Sequence, residues 1–302
     1  MACATSSIRA SASPAEAAHA SKETIMAKLK IAAVQAASVA ESLDHKWDGA
    51  DVPHALAWLD RAAEQGADLV CFPELYPLVG EAALCAKARA RGLHVIAGLA
   101  DGAPARWHNT STIISPRGEI IGRQTKNYPT AIERDGGVVP GTSFEVFETE
   151  LGRFGIVICA DFGFFHDGME TARAGRADII FNPAVWFAIA EVYPHVVAGR
   201  HLEYSVPIFG VNQARPANIR NDARFPPAGG YSTVCIPPPV ADLDQLWDWF
   251  RTKPGGIDAI QDFVHTLGPD EEMRLFEVDI AAVRRFPGYF STRPAPGLHQ
   301  AA

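Results

Sequence analysis

At 302 residues, 48% of them hydrophobic, the chain can bury a large core as one domain or as two tightly joined halves. A formal net charge of −8, without a basic tract or zinc-finger spacing, argues against a nucleic-acid partner, and no apolar run approaches the ~20 residues that cross a bilayer, so no membrane span is expected. Five widely spaced cysteines, an odd number in a chain that needs no staples, point to a reducing, cytoplasmic setting.

Residues 1–27 are rich in Ala and Ser, bury too little to offset ordering entropy, and are expected to form a disordered tail, with Met26 as an alternative start. From Lys30 onward short β-branched runs alternate with helical stretches, the pattern of an α/β protein. KIAAVQA reads as a buried strand. Residues 52–65 gather Ala55, Leu56, Leu59, Ala62 and Ala63 on one helical face, and ADLVCF is a strand ending at Pro73. Residues 78–91 read as a helix and HVIAGLA as a strand. TSTIISPRGEIIGRQTK has the form of a hairpin turning at Pro116, Arg117 and Gly118. That hairpin breaks a strict βαβ rhythm and, with no GxGxxG present, excludes a plain Rossmann sheet. A loop rich in Gly and Pro occupies residues 127–142.

The second half continues with FEVFET and GRFGIVIC as strands, a helix over residues 167–174, and ADIIFNP as a strand. A helix over 191–204, despite Pro194, precedes the strand VPIFGVNQA. GYSTVCIP and MRLFEVDI are late strands, the latter followed by a short helix, AAVRRF. Between them, residues 237–268 carry Leu243, Leu246, Trp247 and Phe250 at helical spacing, a Gly break, then Ile257, Ile260 and Val264, which predicts an inserted pair of short helices. The folded domain is expected over residues 28–290, with 291–302 as a C-terminal tail.

Three strand ends each deliver one reactive side chain into a loop: Glu74 after LVCFP, Lys126 after IIGRQT and Cys159 after FGIVI. Singly they are ordinary, because a Cys ending an apolar strand is usually a small buried hydrophobe and loop Glu and Lys are usually solvated. Together they have a mechanism. A thiol of pKa about 8.5 needs a base or a nearby cation to act at neutral pH. Glu74 can take the proton, Lys126 can oppose developing negative charge, and the backbone N–H of Ala160 can complete an oxyanion hole. No metal is required, none of the ten histidines forms HExxH, and neither His166 nor His201 sits in a recognisable protease motif.

The three segments, CFPEL at 71–75, TKNYP at 125–129 and GIVICAD at 155–161, together resemble the nitrilase superfamily of carbon–nitrogen hydrolases. KIAAVQAA, PGTSFEVFETELGRFGIVIC and GRHLEYSVPIFGVNQ extend the likeness from Lys30 to about Phe286. The resemblance implies a four-layer α–β–β–α sandwich, two mixed sheets face to face with helices outside. It implies Cys159 as nucleophile, Glu74 as general base and Lys126 as the positive charge acting on a small-molecule substrate without cofactor. It also implies pairing through an outer helical layer into a homodimer or larger homo-oligomer. The family's second glutamate, in the loop after the lysine, is matched best by Glu133; Glu119, Glu145 and Glu148 fit worse. Two departures bear on substrate: the Pro-Glu after the nucleophile is missing unless Glu170 replaces it, and the family's R-A-x-E-N stands here as Arg200, His201, Glu203 and Tyr204. Nitrile-cleaving members typically carry C-W-E and amide-cleaving members C-x-D, so Cys159-Ala160-Asp161 implies an amide, with N-carbamoyl compounds as the strongest competitor and an inactive binding scaffold as the non-enzyme alternative. Phe162, Trp186 and Phe187 are the candidates for an apolar acyl pocket.

Overall fold

Side-chain alternation along the strands sorts the chain into layers in the computed structural model, which describes residues 28–186, 190–215, 229–252 and 263–289. In β1 (Leu29–Gln35), Ile31 and Ala33 enter one buried cluster while Ala32 and Val34 enter another. This is the two-residue period of a strand buried on both faces. β2 (Leu69–Cys71) and β4 (His94–Ala103) run parallel to it in sequence, with the two-residue β3 (Pro77–Leu78) beside β4. β5 (Arg106–Ile114) and β6 (Ile120–Thr125) add antiparallel on one side, and β13 (Glu272–Val278) on the other. The order β13-β1-β2-β4-β5-β6 with β3 makes a seven-stranded mixed sheet.

The second sheet has six strands, β7 (Val146–Thr149) to β12 (Val264–Thr266), in the order β12-β11-β10-β9-β8-β7. β8 (Gly152–Ile156), β9 (Ile179–Ala184) and β10 (Ile208–Asn212) are parallel at its centre, and β11 (Thr233–Cys235) pairs antiparallel with β10. Between the sheets, Ile31, Ala33, Cys71 and Ile96 of the first meet Phe154, Ile156, Phe181 and Phe209 of the second. Phe209 touches Phe181 at 5.5 Å and Phe276 at 5.9 Å between ring centroids, so aromatic edges knit the two sheets.

Helices cover the outer faces. α1 (Leu43–Trp47) precedes α2 (Val52–Glu64), whose Ala55, Trp58, Leu59 and Ala62 lie with Leu84 and Ala88 of α3 (Glu81–Arg91) over the outer side of the first sheet. α4 (Ala131–Asp135) and α5 (Ala160–Phe164) are one-turn pieces beside the candidate site. α6 (Asp167–Ala174) and α7 (Tyr193–Tyr204) pack Met169, Ala172, Tyr193 and Val197 onto the second sheet. The fold is the α–β–β–α sandwich expected. Among the described residues no helix is long and apolar enough to cross a membrane.

Several expected elements change. The helix expected over 78–91 begins at Glu81, because Pro77 and Leu78 pair with β4 and Gly80 takes a left-handed φ of 96° at the helix N-cap. HVIAGLA runs on to Ala103 and folds into β5 as a second hairpin that the sequence reading did not separate. The loop over 127–142 contains α4, capped by Thr130 and Glu133 in a reciprocal box. In the insertion, α8 (Leu243–Thr252) forms and folds back on its own chain, Leu246 packing with Val240, just ahead of that helix, and with Phe286 and Tyr289, just past α9 (Ile280–Arg285). The second helix expected there is corrected in part: Val264 lies on β12, where backbone pairing with β11 satisfies its polar groups, and residues 253–262 lie outside the described residues, as do both expected tails.

Gly98 on β4 shows how tightly the first sheet holds the loop that carries Glu74. A Cβ there would sit 2.4 Å from the Leu75 nitrogen and 2.6 Å from the Pro73 oxygen, both backbone atoms. Gly98→Ala is therefore expected to cost about 1–3 kcal/mol of stability and to push the Glu74 loop outward. Thermal unfolding beside turnover tests this, and an alanine variant that melts and works like wild type would contradict the close approach.

Candidate active site

Each sheet contributes part of the site. From the first sheet, β2 ends at Cys71 and the chain turns through Glu74, with Leu75 at φ 56° and the Glu74 carbonyl accepting from Gln213 Nε2 at 2.7 Å. β6 ends at Thr125, and the Lys126 N–H donates to the Asn109 carbonyl of β5 at 2.9 Å, carrying the lysine one step past the strand. From the second sheet, the path beyond β8 stays paired to β9: Val157 N–H donates to Phe181 O and Cys159 N–H to Pro183 O, each at 3.0 Å. At Cys159 the backbone swings to φ 45°, ψ −105°, and α5 begins. A non-glycine residue in so sparse a region persists only where the surroundings fix it. Asp161 joins the two halves, its carboxylate accepting from the Asn127 N–H at 2.9 Å and the Tyr128 N–H at 2.8 Å.

Glu74, Lys126 and Glu133 form one buried cluster. Lys126 Nζ lies 2.7 Å from Glu74 Oε1 and 2.9 and 2.8 Å from the two Glu133 oxygens. Asn109 Nδ2 donates to both carboxylates, at 2.8 Å to Glu74 Oε1 and 2.9 Å to Glu133 Oε1. The Cys159 thiol lies close enough to the Glu74 carboxylate to act on its charge. Both catalytic candidates of the first sheet are thus in contact with each other, and Glu74 reaches the candidate of the second.

The cluster drives its acids apart. Burial pushes the Glu74 carboxyl up, the Glu133 charge adds to this, and Lys126 opposes it without cancelling it. At Glu133 burial also works upward, but the Lys126 charge and the donors from Lys126, Thr130 and Asn109 outweigh it, so this carboxyl is held below the usual range. Burial works against the Lys126 charge, yet Glu74, Cys159 and Glu133 raise its pKa above the ordinary lysine value. Burial and the Glu74 charge place the Cys159 thiol well above its usual pKa, with Lys126 opposing. Asp161 is pushed up to about 6 by burial, against the two N–H donors that favour its charge. One carboxylate that can take a proton beside one that stays ionised is the division of labour of an acid–base site.

Beside Ala160, the residue after Cys159, is a cavity of about 360 Å³, lined also by Asn127, Tyr128, Pro129, Phe164 and Phe165 among others. The aromatic lining differs from expectation. Phe162 is wholly buried in the core, because the single turn of α5 points it inward and leaves Phe164 and Phe165 exposed. Trp186 is buried and stacks on Phe164 at 5.6 Å, backing the wall without lining it, and Phe187 lies outside the described residues. Tyr128 stacks on Phe165 at 3.9 Å.

Other sequence candidates lie elsewhere. Glu170 pairs with Arg173 at 2.5 Å and accepts from Tyr204 at 3.0 Å on the outer surface, so it does not replace the missing Pro-Glu in the cluster. Arg200 clamps the end of α5 through the carbonyls of Phe162 and Phe165 and pairs with Glu203 at 3.0 Å. The His201 ring lies between Val206 O and Tyr289 Oη and is lowered to about 4 by burial, and exposed His166 sits beside Arg200. Among the described residues no group of three or more His, Cys, Asp or Glu is arranged to hold a metal ion. The sequence reading missed Asn109 and Gln213. Their signal was available only as single polar letters inside RWHNTSTII and at the end of IFGVNQ, without spacing to single them out.

The sequence pattern described as carbon–nitrogen hydrolase matches residues 30–222, a span that contains Glu74, Lys126, Glu133 and Cys159. The chain belongs to the carbon–nitrogen hydrolase family. Its curated relatives include a nitrilase of Pyrococcus abyssi, 28% identical over 146 residues (42% of this chain, 55% of the relative). A nitrilase of Pseudomonas syringae pv. syringae is 30% identical over 162 residues (43% and 47%), so the chain spans about half the length of these two relatives. A mouse pantetheinase is 26% identical over 117 residues, covering 39% of this chain and 22% of that protein. Among solved structures, an amidase from Nesterenkonia sp. AN1 superposes with a TM-score of 0.66 at 17% identity, covering 89% of this chain and 94% of that one. That likeness shows the shared sandwich fold.

In this family member the Lys126 ammonium separates the buried Glu74 carboxylate from the half-buried Glu133 carboxylate. Lys126→Met should cost about 3–5 kcal/mol at pH 8, where both acids are left ionised and unpaired. The deficit should shrink at pH 5, because without the cation a carboxylate pKa rises and protonation relieves the repulsion. Melting curves of variant and wild type at the two pH values decide it; an equal deficit at both would contradict the pairing.

Proposed function

We propose that the chain hydrolyses a small amide to a carboxylic acid and ammonia or an amine, through a thioester on Cys159. The observation that carries this reading is the Glu74–Lys126–Glu133 cluster, held by bonds of 2.7 and 2.8 Å, with the Cys159 thiol beside Glu74. Glu74, when ionised, takes the thiol proton as Sγ attacks the carbonyl carbon. Lys126 Nζ and the Ala160 N–H hold the oxyanion, and a fixed ammonium in a water-poor site is worth far more to that charge than one in solvent. Glu74 then returns the proton to the departing nitrogen as the carbon–nitrogen bond breaks. Water attacks the thioester, Glu74 again removes a proton, and collapse of the second oxyanion releases the acid and restores the thiol.

Two observations favour an amide over a nitrile. Asp161 stands two residues past the nucleophile with its carboxylate committed to two N–H groups of the Lys126 loop, as the C-x-D form implies. A glutamate-to-glutamine variant of the Nesterenkonia amidase that shares the fold has been captured with the acetamide moiety of fluoroacetamide on its active-site cysteine, and a cysteine-to-alanine variant with butyramide bound. A cavity with aromatic walls beside Ala160 fits an apolar acyl group.

Ammonia release over matched amides, nitriles and N-carbamoyl compounds tests the assignment. The amide should turn over fastest and Cys159→Ala should abolish the reaction while leaving the fold intact; nitrile turnover well above the amide, or activity retained by the alanine variant, would overturn it. The pH profile has a required sign. Because the Glu74 pKa is raised and its ionised form is the base, kcat/KM should fall as pH drops through a midpoint above the ordinary glutamate value of about 4.3. A Glu74→Gln variant should lose that acidic limb together with most of its rate, measured across pH 4–9 with the preferred amide.

A further inference from the structure

The two carboxylates of the cluster are chemically alike and lie on the same lysine, yet the reaction needs one to be a base and the other to stay a counterion. Their hydrogen bonds are not alike. Glu133 Oε2 accepts from Lys126, from the Thr130 N–H at 2.8 Å and from Thr130 Oγ1 at 2.9 Å, and Glu133 Oε1 accepts from Lys126 and Asn109. Both of its oxygens are occupied. Glu74 Oε1 accepts from Lys126 and Asn109, and the carboxylate also meets the Cys159 thiol. With Oε1 holding two donors, Oε2 is the oxygen with lone pairs to spare for the thiol proton.

We propose that Asn109 is a positioning residue that makes this asymmetry: one –NH₂ bridges Glu74 Oε1 and Glu133 Oε1, turning Glu74 Oε2 toward Cys159 and locking Glu133 as the counterion. The proposal rests on the catalytic reading above. Asn109 sits mid-way along β5, wholly buried, and its carbonyl accepts the Lys126 N–H, so a single residue holds all three members of the cluster. The amide has two N–H hydrogens and spends one on each carboxylate. The flipped amide would set its oxygen against two carboxylates, so the orientation is forced by charge. Its own Oδ1 is buried without a donor. Packing alone does not call for a polar side chain that leaves an acceptor orphaned, whereas an –NH₂ clamp does.

The test uses the full chain and needs no substrate: the rate of Cys159 alkylation by iodoacetamide is followed from pH 4 to 9 in wild type, in Asn109→Leu, which keeps the volume and loses both donors, and in the milder Asn109→Ser. Removing a donor from the Glu74 carboxylate raises its pKa, so the acidic limb of alkylation should move up by about one pH unit and the plateau should fall at least tenfold, with kcat falling and KM little changed in turnover of the preferred amide. A folded variant whose limb and plateau match wild type overturns the proposal. A measurement on the unmutated protein stands beside this: the side-chain ¹⁵N–H signals of Asn109 should shift with pH at the midpoint of the alkylation limb, and signals that do not follow it also overturn the proposal. Wild type that alkylates at Cys159 with an acidic limb but releases no ammonia from any amide would count against the proposed substrate and leave this inference standing.

Discussion

One ammonium between a buried carboxylate and a half-buried one is the constraint on which the rest of the site depends. Three ionisable groups removed from water would each carry a desolvation cost of several kcal/mol, and only mutual contact within hydrogen-bond distance offsets it. Lys126 is 2.7 Å from Glu74 and 2.8 Å from Glu133, and both carboxylates share the Asn109 amide. The arrangement is tolerable as a whole and expensive in any fragment. It also keeps an acid–base pair at unequal proton affinity, which separate solvated residues on a surface could not do.

The scaffold meets this demand by assigning parts to different elements. Glu74, Lys126 and Asn109 hang from the first sheet, Glu133 from a capped single turn after it, and Cys159 from the second sheet. Backbone bonds carry the chain beyond the nominal strand ends, at Lys126 through Asn109 and at Cys159 through Pro183, so these side chains sit on rigid backbone. The left-handed turn at Cys159 then aims α5 so that Ala160 faces the cavity and Phe162 the core.

Much of this was legible in the letters. The buried run KIAAVQA forms β1, and the helices expected over residues 52–65 and 167–174 appear within a residue of those bounds. Glu74, Lys126 and Cys159 stand out at strand ends and Glu133 through the family resemblance, and the structure brings Glu74, Lys126 and Glu133 into contact with Cys159 beside Glu74. What was not legible depends on partners distant in sequence. Val264 looks helical beside Ile257 and Ile260, but a free edge at β11 recruits it as a strand. Phe162 and Phe164 look equivalent in FGFF until one turn of helix sends them to opposite sides. Asn109 pairs with residues 35 positions before and 24 after it, and no local pattern encodes such a bond.

The division of the site between two sheets has a mechanical consequence. Cys159 and Lys126 ride on separate slabs, bolted together by the Asp161 carboxylate holding two N–H groups of the opposite loop. The thickness of the filling between the slabs is therefore a ruler for the gap between sulfur and ammonium. Small inner residues such as Ala33 and Cys71 set that thickness as much as the large ones do. Interiors at crystal-like density transmit strain instead of absorbing it, so a methyl group added there works as a shim, felt at the reacting atoms although it touches none of them.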